Sequence, residues 1–372
     1  MRIALVVPGG VDPSQEYRVI PALLALIERL AQRHELEVFA LRQEVQPRSW
    51  PLLGAQVHNI GGTRTRLRAL AAVHAAHRRE RFEVVQTLWS GASGMVGVTA
   101  ARLLGIPCVV HVAGGELVAL PEIGYGGRQS LRGRLREALV LRGAARVTAA
   151  SAPMIASLKA LGINAQRLPL GVDLSSWPAR PPQSRVPGVP ARLIHVASLN
   201  TVKDQTTLLR ALALLRAAGL AFHLDVVGED VLQGQIQRLS AELGLTSQVS
   251  FHGFLTQRQL RPLIEAADLM LLSSRHEAGP MVVLEAAVAG VPSVGTAVGH
   301  LAEWAPQAAH VVPPADPQAL AMAVAGVLAD EELRMALARA AQVRALQEDA
   351  DYTARAFEAL YAELTRAGTA GR

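Results

Sequence analysis

The sequence predicts an α/β protein of two Rossmann-like domains, each a doubly wound parallel sheet. Two observations carry this. Short apolar runs that end in loops alternate with segments of helical periodicity, the pattern of parallel strands joined by crossover helices. A proline-rich stretch holding Pro178, Pro181, Pro182, Pro187 and Pro190 then interrupts the alternation, which resumes beyond it. The boundaries that follow are a first domain over residues 1–172, an extended linker over 173–190, a second domain over 191–350, and a terminal helix with a tail over 351–372. At 372 residues the chain is long enough for two ordinary cores.

Residues 2–7 read as the first strand, running into Pro8-Gly9-Gly10, where glycine lets the backbone approach a ligand closely. These glycines do not follow G-x-G-x-x-G, so a dinucleotide fingerprint is absent. Helical periodicity covers residues 17–30 and 67–77, with strands expected at 35–41, 57–60 and 84–88. A helix over 96–104 precedes a strand at 108–112, and His111 lies near its carboxyl end, before Gly114, Gly115 and Glu116. A loop followed by a basic helix over 128–141, a strand at 146–149, a helix capped by Ser151 and a strand at 165–168 complete the half. In the second half strands are expected at 193–197, 223–227, 249–252, 268–272 and 293–294. Thr256 and Gln259 form a capping box, Asp316 with Pro317 caps a further helix, and residues 355–364 form a last amphipathic helix.

Hydrophobic residues make up 50% of the chain and aromatics 4%, so the cores are built from Ala, Leu and Val, which argues against disorder. The formal charge of +6 is carried largely by Arg, clustered over 64–81 and 128–146. Such a balance fits anionic partners: nucleotide sugars, anionic lipid or nucleic acid. The clusters lack interleaved aromatics, and no zinc or helix-turn-helix spacing is present, which argues against nucleic acid. Peripheral contact with an anionic membrane through the 128–146 region is expected instead. The one cysteine, Cys108, sits in an apolar strand, so no disulfide framework exists and a reducing compartment is expected. The amino-terminal apolar run is too short for a signal segment, and the longest uncharged apolar run, 319–329, is well below the ~20 residues that cross a bilayer. These readings place the protein in the cytoplasm, peripheral at the inner face of the membrane.

The stretch HEAGPMVVLEAAVAGVP, His276 to Pro292, carries the most chemistry. It follows the strand at 268–272. Gly279 loosens the backbone, Pro280 stands where the first helical residue should be, Met281 to Ala289 carry the helical pattern, and Gly290 with Pro292 ends it. Glu277 thus lies in the loop at a strand's carboxyl end, where open α/β sheets bind ligands, and Glu285 lies in the second turn of the helix. The helix amino terminus suits a phosphate. Lys203 sits in another strand-end loop, VASLNTVKDQTTLL, well set to neutralise a diphosphate.

The E-x7-E spacing of Glu277 and Glu285, with its loop-helix-GxP setting, resembles the signature of glycosyltransferase family 4, retaining enzymes of the GT-B fold. Leu168 to Asp173, LPLGVD, is similar to the family's P-N-G-V-D hinge, with Leu170 in place of Asn. The Lys203 loop is similar to the family's R-x4-K loop, except that Ser198 occupies the Arg position; Asn200 offers a neutral hydrogen bond but no charge. The resemblance implies two Rossmann-like domains facing across a cleft, with the carboxyl-terminal helix crossing back to the first. It implies that Glu285 holds the ribose hydroxyls, that Glu277 lies at the donor sugar, and that Lys203 and the helix end at Gly279, Pro280 and Met281 hold the diphosphate. Gly228, and Gly253 with Phe254, would approach the phosphates and base from two further strand ends. Gly9 and Gly10 would form a loop toward the acceptor or phosphate, and His111 would position the acceptor or the sugar in catalysis. No cofactor and no metal are expected: the one D-x-D, Asp349 to Asp351, is not at a strand end.

The leading expectation is therefore a retaining glycosyltransferase. It would move a sugar from a nucleotide-diphosphate donor to a lipid-linked or polysaccharide acceptor hydroxyl. A nucleotide-sugar 2-epimerase on the same fold would need general bases beside the sugar. A non-catalytic nucleotide-sugar-binding relative is the third reading, raised by Ser198. A glycosidase is disfavoured, because its two carboxylates must face each other across the scissile bond.

Overall fold

Runs of Val, Ile, Leu and Ala that are buried on both faces make the strands, as parallel sheets covered by helices require. Arg2–Val7 (β1) is buried at every position and pairs in parallel with Glu35–Ala40 (β2), from Arg2 opposite Glu35 to Val7 opposite Ala40. The computed structural model describes residues 1–370. These form two compact units, one of residues 1–171 together with the chain from Ala350 onward, the other Val172–Asp349.

In unit 1, β1 and β2 are joined by Pro21–Ala31 (α1) and followed by Arg48–Leu52 (β3), Ala55–Asn59 (β4), Thr65–Arg79 (α2), Val84–Leu88 (β5) and Ala92–Leu104 (α3). Then come Cys108–Val112 (β6), Leu131–Gly143 (α4), Arg146–Ala149 (β7), Ala152–Ala160 (α5) and Gln166–Arg167 (β8). The strand order is β3-β4-β2-β1-β5-β6-β7-β8, parallel except for β3 on β4. Unit 2 runs through Ala191–Val196 (β9), Gln205–Ala217 (α6), Phe222–Val227 (β10), Gln235–Glu242 (α7), Val249–Gly253 (β11) and Gln257–Glu265 (α8). It continues with Leu269–Leu272 (β12), Met281–Val288 (α9), Ser293–Thr296 (β13), Gly299–Trp304 (α10), His310–Val312 (β14), Pro317–Ala329 (α11) and Glu331–Gln347 (α12). Its six strands are parallel, in the order β11-β10-β9-β12-β13-β14. The strand order reverses beside β9, so the loops after β9 and β12 open at the switch point where such sheets bind ligands.

The structure departs from the sequence reading in several places. The helix expected from Tyr17 starts at Pro21, because residues 11–20 are drawn into a loop by a Val11–Val19 bridge and an Arg18–Asp12 ion pair. α3 starts at Ala92, ahead of its apolar pattern, where Ser93 Oγ donates back to Leu88 O and Trp89 O at 2.9 Å each. Ser151 stands at the N-cap position of α5 without a side-chain capping bond. β3 and β14 were not expected; both are edge strands, β3 contains Pro51, and β14 has three residues, so neither shows a clear period.

The stretch expected as a linker is strapped onto unit 2. Trp177 is buried in the unit 2 core, Arg180 N–H donates to Val288 O at 3.1 Å, and Arg185 N–H donates to Glu331 Oε1 at 3.0 Å. The last helix, Ala350–Ala370 (α13), packs in unit 1. Thr353 Oγ1 accepts from Gly171 N–H at 2.8 Å and donates to Pro169 O at 2.9 Å, while Arg33 pairs with Glu358 at 2.8 Å. Among the described residues no helix is long and apolar enough to cross a membrane.

Candidate functional site

The loops after β9 and β12 are tied together by one backbone bond and one side-chain bond. Arg275 N–H donates to Val202 O at 2.7 Å, and Ser273 Oγ–H donates to Lys203 O at 2.8 Å. These two bonds bring Lys203 and Glu277, far apart in the sequence, to an ion pair of 2.5 Å between Nζ and Oε1. Ser274 Oγ–H donates to the same carboxylate oxygen at 2.7 Å, so Glu277 is fixed from two sides. Asn200 is engaged through its side-chain oxygen. Its Oδ1 accepts the Lys203 amide at 3.1 Å, and it shapes the loop that aims the lysine. Ser198 is exposed, and its carbonyl accepts from Gln205 Nε2–H at 3.1 Å.

Pro280 is the N-cap of α9 and not its first residue, so the helix opens at Met281, one position later than the sequence pattern suggested. Gly299 presses the next loop against it: at φ 51, a Cβ there would meet Pro280 Cδ at 2.8 Å and Glu277 Cβ at 3.1 Å. Gly228 is equally constrained. With φ 149 its Cβ would fall 2.0 Å from Ala197 O, so the loops after β9 and β10 approach this closely only with glycine present. Gly228 N–H donates to Gly253 O at 2.8 Å, which links the two further strand ends, and Phe254 beside them is 52% exposed. Gly279 is half-buried in the loop ahead of Pro280.

Glu285 is buried in the second turn of α9, and burial pushes its pKa up to about 7. It does not touch the Lys203–Glu277 pair. Its partner is Gln257, the first residue of α8, whose Nε2–H donates to Oε1 at 3.2 Å. Gln257 Oε1 in turn accepts Trp177 Nε1–H at 2.6 Å. An indole N–H can only donate, so it fixes which end of the amide faces Glu285. Gln257 was not singled out from the sequence, and no local pattern marks it. His195, also not foreseen, is buried on β9; Nδ1 lies 2.9 Å from Leu271 O, and burial lowers its pKa to about 4. It holds β9 to β12 as a neutral ring.

In unit 1 the expected residues stand differently. His111 is not in an open loop. Its side chain is 0% exposed within the sheet, Nδ1 lies 2.9 Å from Thr148 Oγ1 on β7, and the ring meets Phe357 of α13 edge-on at 5.7 Å. Burial lowers its pKa to about 3, so the ring is neutral. Between Leu88 on one strand and Thr148 on the other, it is part of the sheet's buried core and not of the flexible loop expected to follow it. The amides after Gly9 are engaged as well: Gly10 N–H and Val11 N–H donate to Gln43 Oε1 at 2.7 and 2.9 Å, so Gln43 clamps this loop. Glu116, in the loop after β6, accepts Ser90 N–H at 3.0 Å, and burial raises its pKa. Among the described residues no three His, Cys, Asp or Glu side chains gather to hold a metal ion.

Comparison with known proteins bears on this arrangement. Residues 179–344 match the family model "Glycosyl transferases group 1", and residues 19–171 match the "Glycosyl transferase 4-like domain". A glycogen synthase of Mycobacterium tuberculosis (strain CDC 1551 / Oshkosh) is 33% identical over 186 residues, 49% of this chain and 44% of that protein. The D-inositol 3-phosphate glycosyltransferase of Arthrobacter sp. (strain FB24) is 30% identical over 239 residues, 59% of this chain and 56% of that one. The matched stretch thus spans about half the length of these curated relatives. Among solved structures, sucrose-phosphate synthase from Thermosynechococcus elongatus superposes with a TM-score of 0.82 at 20% identity, covering 99% of this chain and 100% of that one. Anabaena HepE in complex with UDP gives 0.74 at 20% identity, covering 98% and 100%. Together the two family models take in both units and the two parallel sheets have the GT-B architecture, so the chain belongs to the group 1 glycosyltransferases with a glycosyltransferase 4-like first half.

Proposed function

We propose that the chain is a retaining hexosyltransferase that takes a sugar from a nucleoside-diphosphate donor held at the strand ends of unit 2. The observation that carries this is the joining of Lys203 and Glu277 beside the start of α9, with the buried acceptor Glu285 one turn further on. A cation, a helix amino terminus and a carboxylate are the groups that a diphosphate, a leaving anion and a ribose diol need. A structural relative supports the donor class, since HepE has been crystallised with UDP and with UDP-glucose.

In this reading Lys203 exchanges Glu277 for the donor diphosphate, and Glu277 then stands free to balance positive charge at the anomeric carbon. The C1–O bond to the diphosphate breaks, and the acceptor oxygen bonds to C1 on the same face. The acceptor proton passes to a phosphate oxygen of the leaving nucleoside diphosphate. Neither an inverting base nor a metal is invoked: Lys203 and the α9 dipole stabilise the leaving group. Incubation with UDP-glucose and a panel of other nucleotide sugars should release the nucleoside diphosphate in the presence of EDTA. Proton NMR of the first product should report the donor's own anomeric configuration. An inverted product, or activity lost to EDTA and restored by manganese, would contradict the mechanism.

Attachment to the inner face of a membrane, and hence a cytoplasmic place of work on a lipid-linked acceptor, is part of the same proposal. It is supported by α4, where Leu131, Leu135 and Leu139 are 80%, 64% and 58% exposed along one helical face, flanked by Arg132, Arg134 and Arg142. Flotation with anionic but not neutral vesicles is the expected result, and Leu135→Glu should abolish it.

A further inference from the structure

Unit 1 contains a concavity of about 680 Å³ at the carboxyl end of its sheet, within the range of small-molecule sites. Four arginines line it, brought from separate segments: Arg42 after β2, Arg64 and Arg66 at the start of α2, and Arg136 on α4. Elsewhere this chain pairs the arginines that it covers. Arg2 meets Glu35 at 2.9 Å, Arg128 meets Glu137 at 3.1 Å, and Arg334 meets Glu331 at 2.7 Å. Among the described residues the four side chains of the concavity take part in no ion pair or hydrogen bond; Arg42, Arg64 and Arg66 are exposed, while Arg136 is half-buried with its Nε buried without a partner. Acids of neighbouring segments are committed elsewhere, Glu44 to Arg48 and Asp12 to Arg18, and the one acid beside the group, Glu137, is held by Arg128 while also feeling the charge of Arg136. Between residues 61 and 115 the only acids are Glu80 and Glu83, both just beyond the far end of α2.

Four like charges drawn around one hollow repel each other, and a fold keeps such a group where an anion completes it. Guanidinium forks match phosphate oxygens in pairs, which a neutral sugar does not reward. The amino-terminal residues of α2 and α3, Thr65 and Ala92, also line it and add their helix-start dipoles. The remaining wall is apolar: Leu41, and Leu67 at 65% exposure. We infer that this concavity binds the acceptor through a phosphate or diphosphate, with an apolar or sugar portion lying along Leu41 and Leu67. The identification as an acceptor site rests on the transferase reading above; the anion site does not. The N–H groups of Gly10 and Val11 after β1 have no part in it, since Gln43 takes them.

The test is calorimetry on the full chain with two probes, inorganic pyrophosphate and farnesyl diphosphate, in a Lys203→Ala background that removes the donor's own cation. Binding of either probe is expected, weakened roughly tenfold for each arginine removed in Arg64→Gln, Arg66→Gln and Arg136→Gln. Arg64 and Arg66 are exposed, so these two variants fold even if Arg136→Gln does not. Farnesyl diphosphate binding tighter than pyrophosphate assigns a lipid-carried diphosphate, and equal binding assigns a free phosphorylated acceptor. Both support the shared chemistry. Absence of binding at 50 mM salt, or binding unchanged in all three variants, overturns the inference. UDP titrated into the protein with Lys203 intact separates the two readings: farnesyl diphosphate bound without UDP removes the donor site and leaves this one standing.

Discussion

Replacing Glu285 by Gln is expected to stabilise unit 2 at alkaline pH while weakening nucleotide binding. Burial raises the Glu285 pKa from 4.5 to about 7, with the Gln257 amide alone acting in the opposite direction. The folded state therefore holds a proton that the unfolded chain has released between these two values. Stability from this source is fully present below about 4.5 and is lost as pH rises through about 7. At about 1.4 kcal/mol per unit, the cost of carrying an ionised Glu285 at pH 8 is roughly 3 kcal/mol. Gln keeps the shape without the charge and avoids this cost, so the variant should gain on wild type by about that amount between pH 4.5 and 8. Urea unfolding followed by Trp177 and Trp304, both buried in unit 2, measures it once Trp50 and Trp89 are replaced by Phe. In parallel, wild-type affinity for UDP should fall as pH drops below about 7, because the ribose diol needs an ionised acceptor. A wild-type-to-variant difference that stays constant to about 0.5 kcal/mol over this range would refute the reasoning.

Lys203→Ala should weaken UDP binding roughly ten- to a hundredfold by calorimetry, the loss of one charge-assisted contact, without unfolding the protein. Glu277→Gln should lower kcat more than it raises the donor dissociation constant, since the carboxylate acts on charge developing at the sugar; single-turnover kinetics separates the two. His111→Ala should cost about 2–4 kcal/mol of stability by cavity formation under Phe357 and leave UDP affinity unchanged, read by denaturant titration and calorimetry.

The sequence revealed what depends on local order. β5 and β6 have the bounds that their apolar runs suggest, because all five residues of each are buried and nothing competes for them. The Glu277 loop and the helix carrying Glu285 were legible for the same reason: strand, glycine, proline and helix follow one another within 25 residues. Relations across the sheet were not. His111 sits at a strand end in the sequence, but whether a ring there faces solvent depends on β7 and α13, which contribute Thr148 and Phe357. The prolines of 178–190 are as open to a strap as to a linker, and the decision falls to Trp177, 80 residues from the glutamine that takes its N–H. That same bond orients Gln257 toward Glu285, so a stretch with no motif of its own sets which oxygen of the buried carboxylate is left for a ligand. The four arginines of unit 1 follow the same logic. In the chain they belong to two solvated helices and two loops, and only the crossover topology, which carries α2, α3 and α4 over the same face of the sheet, turns their separate charges into one concavity. Charge that reads as surface solvation along a helix acquires a direction once three crossovers of one hand aim their helix starts at the same edge.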